Sequence, residues 1–123
     1  MAEEPSAVLE YGVPEPGESA RYMQDNLRFH TDSWDLFVDL KSGRSEIVVI
    51  DARSHDAYTV GHIPGSVSFP HREMDVQNTA RLDRSGVYVV YCDGIGCNPS
   101  TKAAYKLGQL GFRAKELLGG LDW

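Results

Sequence analysis

One stretch, residues 87–107, constrains the fold and chemistry of this chain more than any other. It opens with five β-branched or aromatic residues, which is typical of a buried strand. Cys92 follows at once, and after a loop containing two glycines Asn98 and Pro99 open a predicted helix. This order presents one thiol to backbone N–H groups and to the positive end of a helix dipole. The stretch therefore favours Cys92 as a nucleophile over the alternative, a small core residue.

Strand-like and helix-like segments alternate along the rest of the chain. The predicted strands are residues 27–30, 46–51, 66–69, 87–91 and 114–118. The predicted helices are residues 18–26, a segment from N-cap Thr31 to near Gly43, residues 54–59, a short helix within 71–85, and a helix from Asn98 to Gly111. Crossovers of this length return each strand in the same direction. The pattern predicts an α/β fold with a central, mostly parallel sheet of about five strands and helices on both faces. Ligands of such sheets bind beyond the carboxyl ends of the strands, where Asp51 and Cys92 both lie.

The length and the charge distribution limit the domain organisation. A chain of 123 residues has room for one domain. Residues 1–20 carry five glutamates without any lysine or arginine, out of a net charge of −6, and they contain three prolines. We therefore expect an acidic arm over residues 1–20, extended or disordered, and a single domain over residues 21–123.

Composition also excludes several classes of protein. The chain has no basic surface for nucleic acid and no polybasic membrane anchor. No apolar run is long enough to span a membrane, and the first residues lack the features of a signal peptide. Two cysteines five positions apart do not form a secreted disulfide framework. We expect a cytoplasmic protein without nucleic-acid or membrane partners.

Four motifs resemble those of the rhodanese domain family. They are Ile50-Asp-Ala-Arg53, Tyr58-Thr-Val-Gly-His-Ile-Pro-Gly-Ser66, Tyr91-Cys92, and a helix with Ala103-Ala104 that leads to Leu110-Gly-Phe112 and Leu118-Gly-Gly-Leu-Asp-Trp123. The resemblance is colinear from about Phe29 to Trp123 and implies a single rhodanese-like domain. It also implies a sulfurtransferase in which Cys92 takes a sulfane sulfur as a persulfide and passes it to a thiophilic acceptor. The implied partners are a small anionic or thiol sulfur donor and acceptor, and no metal or organic cofactor is implied.

The loop after Cys92 suits this chemistry, because an anionic sulfur needs N–H donors already aimed at it. Glycine can adopt the positive φ that lets successive amides point inward. The predicted substrate-binding loop consists of Asp93, Gly94, Ile95, Gly96, Cys97 and Asn98.

The same loop departs from the family pattern in its length and charge. The common form is Cys-x-x-Gly-x-Arg-Ser, whereas here Ser100 stands eight positions after Cys92 and no arginine precedes Lys102. The positive charge usually aimed at an anionic substrate is therefore missing, and Lys102, Arg53 or Arg72 are the candidates to replace it. The missing arginine also argues against the dual-specificity phosphatases, whose arginine clamps a phosphate.

Cys97 adds a second thiol next to the predicted helix. It is a spectator, a resolving thiol that closes a disulfide on Cys92, or the nucleophile itself, and the sequence leaves all three open. A zinc site built from the two cysteines and the four histidines is disfavoured, because the spacing fits none of the usual paired-ligand patterns.

The remaining singled-out residues receive structural roles. Asp51 and Arg53 are expected to support the loops around the site, the His62 imidazole to bond backbone, and Trp34 and Trp123 to pack at the core and edge. The resemblance also implies a closing helix after residue 120. Its absence predicts an apolar surface that the arm or a second subunit, in a homodimer, would cover.

Two further functions stay open beside sulfur transfer. One is a rhodanese-fold binding or regulatory module without useful activity, which the longer, arginine-free loop favours. The other is a thiol redox sensor that uses Cys92 and Cys97.

Overall fold

The computed structural model describes residues 4–94 and 98–122. Five strands and four α-helices alternate along the chain. In chain order they are α1 (Pro16–Phe29), β1 (His30–Thr31), α2 (Ser33–Lys41), β2 (Ile47–Asp51), α3 (His55–Val60), β3 (Val67–Ser68), β4 (Val87–Tyr91), α4 (Pro99–Gln109) and β5 (Arg113–Leu117). Two short 3₁₀ helices complete the description: His71–Glu73 lies between β3 and β4, and Gly120–Asp122 lies after β5.

The five strands form one parallel sheet in the order β1-β5-β4-β2-β3. The predicted α/β fold with a parallel sheet is therefore confirmed. Strand β4 lies in the centre and is hydrogen-bonded to β2 on one side and β5 on the other. Its carboxyl end, and the residue that follows it, occupy the middle of the edge where parallel sheets bind ligands.

Helices cover both faces of the sheet, as predicted. One face packs against α4 through a cluster of buried residues that includes Ile50, Phe69, Val90, Ala103, Leu107 and Phe112. The other face packs against α2 through Leu36, Val49, Val89, Tyr91 and Leu117. Alternate residues of β2 and β4 thus enter opposite cores, which is why these strands read as continuous apolar runs.

The first helix differs from the sequence prediction. Helix α1 begins at Pro16, two residues earlier than expected, and runs across the predicted boundary between residues 20 and 21. Proline is pre-organised for the first helical position, and Glu15 N–H donates to the Glu18 carboxylate at 3.2 Å in a capping box. The predicted first strand is present but begins at His30, three residues later than expected, because helix α1 continues to Phe29.

The packing predicted for Trp34 was also wrong. Helix α2 turns Leu36 and Leu40 inward, four residues apart, while Trp34 is 69% exposed. Two residues correspond to a rotation of about 200° around a helix, so Trp34 and Leu36 point to opposite sides. The second tryptophan, Trp123, lies outside the described residues.

A groove of about 540 Å³ runs along the α2 side of the sheet. Its lining is mainly apolar and includes Leu36, Phe37, Leu40, Ile63, Pro64 and Leu121. Covering of this groove by the N-terminal arm or by a second subunit stays a prediction. Across the described part of the chain, no helix has the length and apolarity needed to cross a bilayer.

Candidate active site

Cys92 follows the last residue of β4 and is 2% exposed. Its carbonyl oxygen accepts a hydrogen bond from the Leu121 N–H at 2.9 Å, which ties it to the turn after β5. Both neighbouring strands therefore hold the residue in place: β4 by chain continuity, and β5 through this turn. The thiol is fixed at the ligand-binding edge of the sheet.

The side chain of Cys92 meets the start of helix α4. Its Sγ lies 3.3 Å from the Ser100 Oγ, and Ser100 is itself buried. Asn98 and Pro99 open the helix at the predicted positions, with Pro99 in the first helical turn. The first turn of α4 thus brings a hydroxyl group to the thiol across the loop.

A buried ion pair supports the neighbouring strand end. The Asp51 carboxylate is fully buried and accepts from the Arg53 guanidinium at 2.7 to 3.2 Å, from the Arg53 backbone N–H at 2.9 Å and from the Tyr91 hydroxyl at 2.9 Å. Tyr91 in turn accepts from the Ile63 N–H at 3.0 Å. Burial raises the pKa of Tyr91, so its phenol stays protonated and can donate to the carboxylate. These residues join β2, β4 and the turn at residues 61–65.

Arg53 also links this pair to the loop after Cys92. Its guanidinium donates to Asp93 at 3.1 Å and to the Gly61 carbonyl at 2.5 Å. Hydrogen bonds to Asp51, with a smaller contribution from Asp93, raise the pKa of Arg53 above its usual range. A guanidinium engaged with two carboxylates and a carbonyl supports the loops and is not free to attract an anionic substrate.

A cavity of about 420 Å³ opens next to the start of α4. It is lined by residues 52–55, residues 70–73 and Pro99, which adjoins Ser100. His55 and Glu73 form part of its wall and pair at 2.8 Å. Arg72 also lines it, whereas Lys102 is exposed on α4. The cavity is large enough to hold a small molecule.

His71 brings a titratable group to the wall of this cavity. Its Nδ1 is buried without a hydrogen-bond partner among the described residues, and its carbonyl accepts from Lys106 Nζ at 2.7 Å. Burial is the main cause that lowers the pKa of His71 below its usual value. The positive charges of Lys106, Lys102 and Arg72 lower it further. Burial and these nearby positive charges therefore favour the neutral form of the His71 ring.

Removing the charge of Lys106 is expected to raise the pKa of His71, since one of the cations that disfavour its protonated form is gone. An NMR titration of the His71 ring in Lys106→Gln measures the change, and Lys41→Gln on α2 is the matched control.

A folded-state pKa of His71 below the unfolded value of about 6.5 means that the unfolded chain takes up the proton first. Stability is therefore lost as the pH falls below about 6.5, and His71→Gln should reduce this loss in urea unfolding. An unchanged His71 titration in Lys106→Gln would contradict the assignment.

The predicted residues of the loop divide into two groups. Cys92, Asp93, Gly94 and Asn98 lie between the end of β4 and the start of α4, whereas Ile95, Gly96 and Cys97 lie outside the described residues. His62 bonds backbone as predicted, with its Nδ1 2.8 Å from the Tyr58 carbonyl. In residues 4–94 and 98–122, no group of three His, Cys, Asp or Glu side chains could hold a metal ion.

Glu116, a residue of β5 that contacts the first turn of α4, was not predicted as a site residue from the sequence. Its carboxylate Oε2 accepts from the Ser100 hydroxyl at 2.8 Å and from the Thr101 hydroxyl at 2.7 Å. The only signal in the sequence was a glutamate inside a predicted strand, where carboxylates are depleted.

Fold and site together define a parallel α/β domain with a cysteine held at the ligand-binding edge of the sheet. The model of the rhodanese-like domain family matches residues 34–123, and the chain belongs to that family.

Two solved structures show the same architecture. The BH2092 protein from Bacillus halodurans is 42% identical, with a TM-score of 0.84 over 88% of this chain and 79% of that chain. The rhodanese-like domain of the Alr3790 protein from Anabaena is 27% identical, with a TM-score of 0.68 over 76% of this chain and 70% of that chain.

One curated relative is named as a transcriptional regulator. The HTH-type transcriptional regulator Rv0324 of Mycobacterium tuberculosis is 33% identical over 79 residues, which are 63% of this chain. The matched segment spans 34% of the regulator's length, about a third of it.

Proposed function

We propose that this protein is a sulfurtransferase in which Cys92 accepts a sulfane sulfur as a persulfide and passes it to a thiophilic acceptor. The observation that carries the proposal is the position of the thiol. Cys92 stands at the carboxyl end of the central strand, 3.3 Å from a hydroxyl in the first turn of α4. Membership of the rhodanese-like family supports the same chemistry.

The proposed reaction has two steps, for which thiosulfate is the model donor. The Cys92 thiolate attacks the outer sulfur of thiosulfate, a new sulfur–sulfur bond forms, and sulfite leaves with the electron pair of the bond that breaks. An acceptor such as cyanide then takes the outer sulfur as thiocyanate, and the thiolate returns. No net oxidation or reduction and no cofactor is needed in this cycle.

Recognition of an anionic donor is proposed to fall to Arg72 and Lys102. Arg72 lines the cavity next to the start of α4, and Lys102 is exposed on the first turns of that helix. Arg53, the third candidate from the sequence, is engaged with Asp51 and Asp93. The positive charge therefore comes from outside the loop after Cys92.

Turnover of thiosulfate and cyanide to thiocyanate tests the proposal. We expect Cys92→Ser to lose at least about 1,000-fold in rate, because the hydroxyl that replaces the thiol cannot carry the sulfur. Cys97→Ser is the matched control, and it separates the roles of the two thiols. Undiminished turnover in Cys92→Ser, or loss only in Cys97→Ser, would overturn the assignment of Cys92.

A regulatory module is the second candidate, favoured by the similarity to an HTH-type transcriptional regulator. In this case the domain keeps the fold but does not transfer sulfur. Intact mass after thiosulfate treatment separates the two functions, because a stable gain of one sulfur atom on Cys92 argues for the enzyme. A protein that stays unmodified and inactive, with its thiols accessible in the folded state, argues for the module.

A further inference from the structure

Ser100 stands between Cys92 and Glu116 and touches both. Its Oγ lies 3.3 Å from the Cys92 Sγ and 2.8 Å from the Glu116 Oε2. Ser100 is 3% exposed and Cys92 is 2% exposed, so water does not replace either contact easily. The three groups form a chain from the thiol to a strand that the proposed reaction does not otherwise use.

A serine hydroxyl has one proton, and an ionised carboxylate can only accept. While Ser100 donates to Glu116, its Oγ offers the sulfur only lone pairs. The contact between Cys92 and Ser100 then requires the S–H of a neutral thiol as donor. A Cys92 thiolate would receive a hydrogen bond from Ser100 only if that proton turned away from Glu116.

Two other groups lie beside the Glu116 carboxylate and affect how strongly it holds the Ser100 proton. Thr101 donates a second hydroxyl to the same Oε2 at 2.7 Å, which leaves the carboxylate less dependent on Ser100. His30 from β1 faces the other oxygen, with its Nε2 3.7 Å from Oε1. Its Nδ1 lies 3.1 Å from the Asn26 carbonyl, which only accepts, so Nε2 donates to Glu116 only when the ring is an imidazolium.

The charged sequence neighbours of Cys92 and Glu116 have partners of their own. Asp93 follows it in sequence and is paired with Arg53 at 3.1 Å. Lys115, the neighbour of Glu116 on β5, donates to the Leu27 carbonyl at 3.2 Å and so points toward α1. Glu116 is therefore the carboxylate that reaches the thiol through a hydrogen-bonded intermediary.

We infer that Glu116 is a positioning residue that competes with Cys92 for the single hydroxyl proton of Ser100 and thereby holds the sulfur in its neutral form. When Cys92 releases its proton to solvent, Ser100 turns its own proton from the carboxylate to the thiolate. The inference rests on the proposed function only in taking Cys92 as the reacting sulfur.

The ionisation of Cys92 can be followed without any sulfur transfer. An NMR titration of protein labelled with ¹³Cβ-cysteine measures the ionisation midpoint of Cys92, and the Cys97→Ser variant assigns the two cysteine signals. Glu116→Gln removes the charge with little change of shape and should shift the Cys92 midpoint downward, because Ser100 is then freer to donate to the sulfur. Glu46→Gln is the control, since Glu46 precedes β2 at the amino-terminal ends of the strands, whereas Cys92 lies at their carboxyl ends.

A double-mutant cycle separates the relay from the plain effect of a charge. In a Ser100→Ala background, Glu116→Gln should shift the midpoint by less than half as much, because the connection is gone. Thr101→Val should act in the opposite direction and raise the midpoint, since Glu116 then has only one hydroxyl to hold. This variant leaves Cys92, Ser100 and Glu116 in place and covers the case in which Ser100→Ala does not fold.

Two results would overturn the inference. One is a Cys92 midpoint in Glu116→Gln that equals that of Glu46→Gln. The other is an equal shift in the presence and absence of Ser100, which would mean that the carboxylate acts through space. The proposed function fails separately, by absence of thiocyanate formation in the wild-type protein. A protein without transferase activity could still show the Glu116 effect in full.

Discussion

Replacing Gly120 by alanine is expected to destabilise the protein by about 2–4 kcal/mol and to displace the backbone at Cys92. Gly120 has a φ of +59°, and a Cβ at this position would overlap the Cys92 carbonyl oxygen. It would also meet backbone atoms of Asp93 and Gly94 at 3.0 Å. These are main-chain atoms, so no side chain can rotate away to make room. The substitution therefore pushes apart the end of β4 and the turn after β5.

Gly108→Ala is the matched control for this prediction. Gly108 lies within helix α4, and a Cβ there meets nothing within 4 Å. Alanine should stabilise the helix by about 0.5–1 kcal/mol relative to glycine. Urea unfolding measures both variants, and persulfide formation by intact mass reports on Cys92. A Gly120→Ala protein as stable as the wild type would show that the turn relaxes freely.

Loss of the guanidinium in Arg53→Met should cost about 3–5 kcal/mol, since it leaves a buried carboxylate without its cation. Asp51 is fully buried and the Arg53 side chain is only 9% exposed. The Tyr91 hydroxyl and a backbone N–H remain as donors, but neither carries a charge. The variant also frees Asp93 from its partner next to Cys92.

A surface pair of the same spacing serves as the control. Arg44 and Glu46 are also two residues apart and lie 3.1 Å from each other, with side chains 62% and 48% exposed. Exposed pairs contribute about 0–1 kcal/mol, so Arg44→Met should barely change the urea midpoint. Asp51→Asn combined with Arg53→Met should recover part of the lost stability. Equal losses in Arg53→Met and Arg44→Met would contradict the role assigned to the buried pair.

The sheet and the location of the thiol could be predicted from the sequence because they depend on local patterns. The apolar runs of β2 and β4 have strand length, and Asn98 and Pro99 mark the start of α4. The order of residues alone then places Cys92 between a strand and a helix.

The role of Glu116 depends on strand register, which local patterns do not give. Parallel pairing sets Glu116 opposite Val90 on one side and opposite His30 on the other. A shift by one residue would turn its side chain to the other face of the sheet. The error at Trp34 has a similar origin, since the sequence does not show which side of a short amphipathic helix meets the sheet.

The central position of β4 also determines which motions reach the thiol. Strands β1 and β3, at the two edges of the sheet, are two residues long and each is paired on one side only. Fraying of these edges is a low-energy local opening, whereas β4 separates from β2 and β5 only when the whole sheet opens. Amide hydrogen exchange at the edges can therefore be fast while that of β4 stays tied to global unfolding. Cys92 is attached to the part of the molecule that opens last.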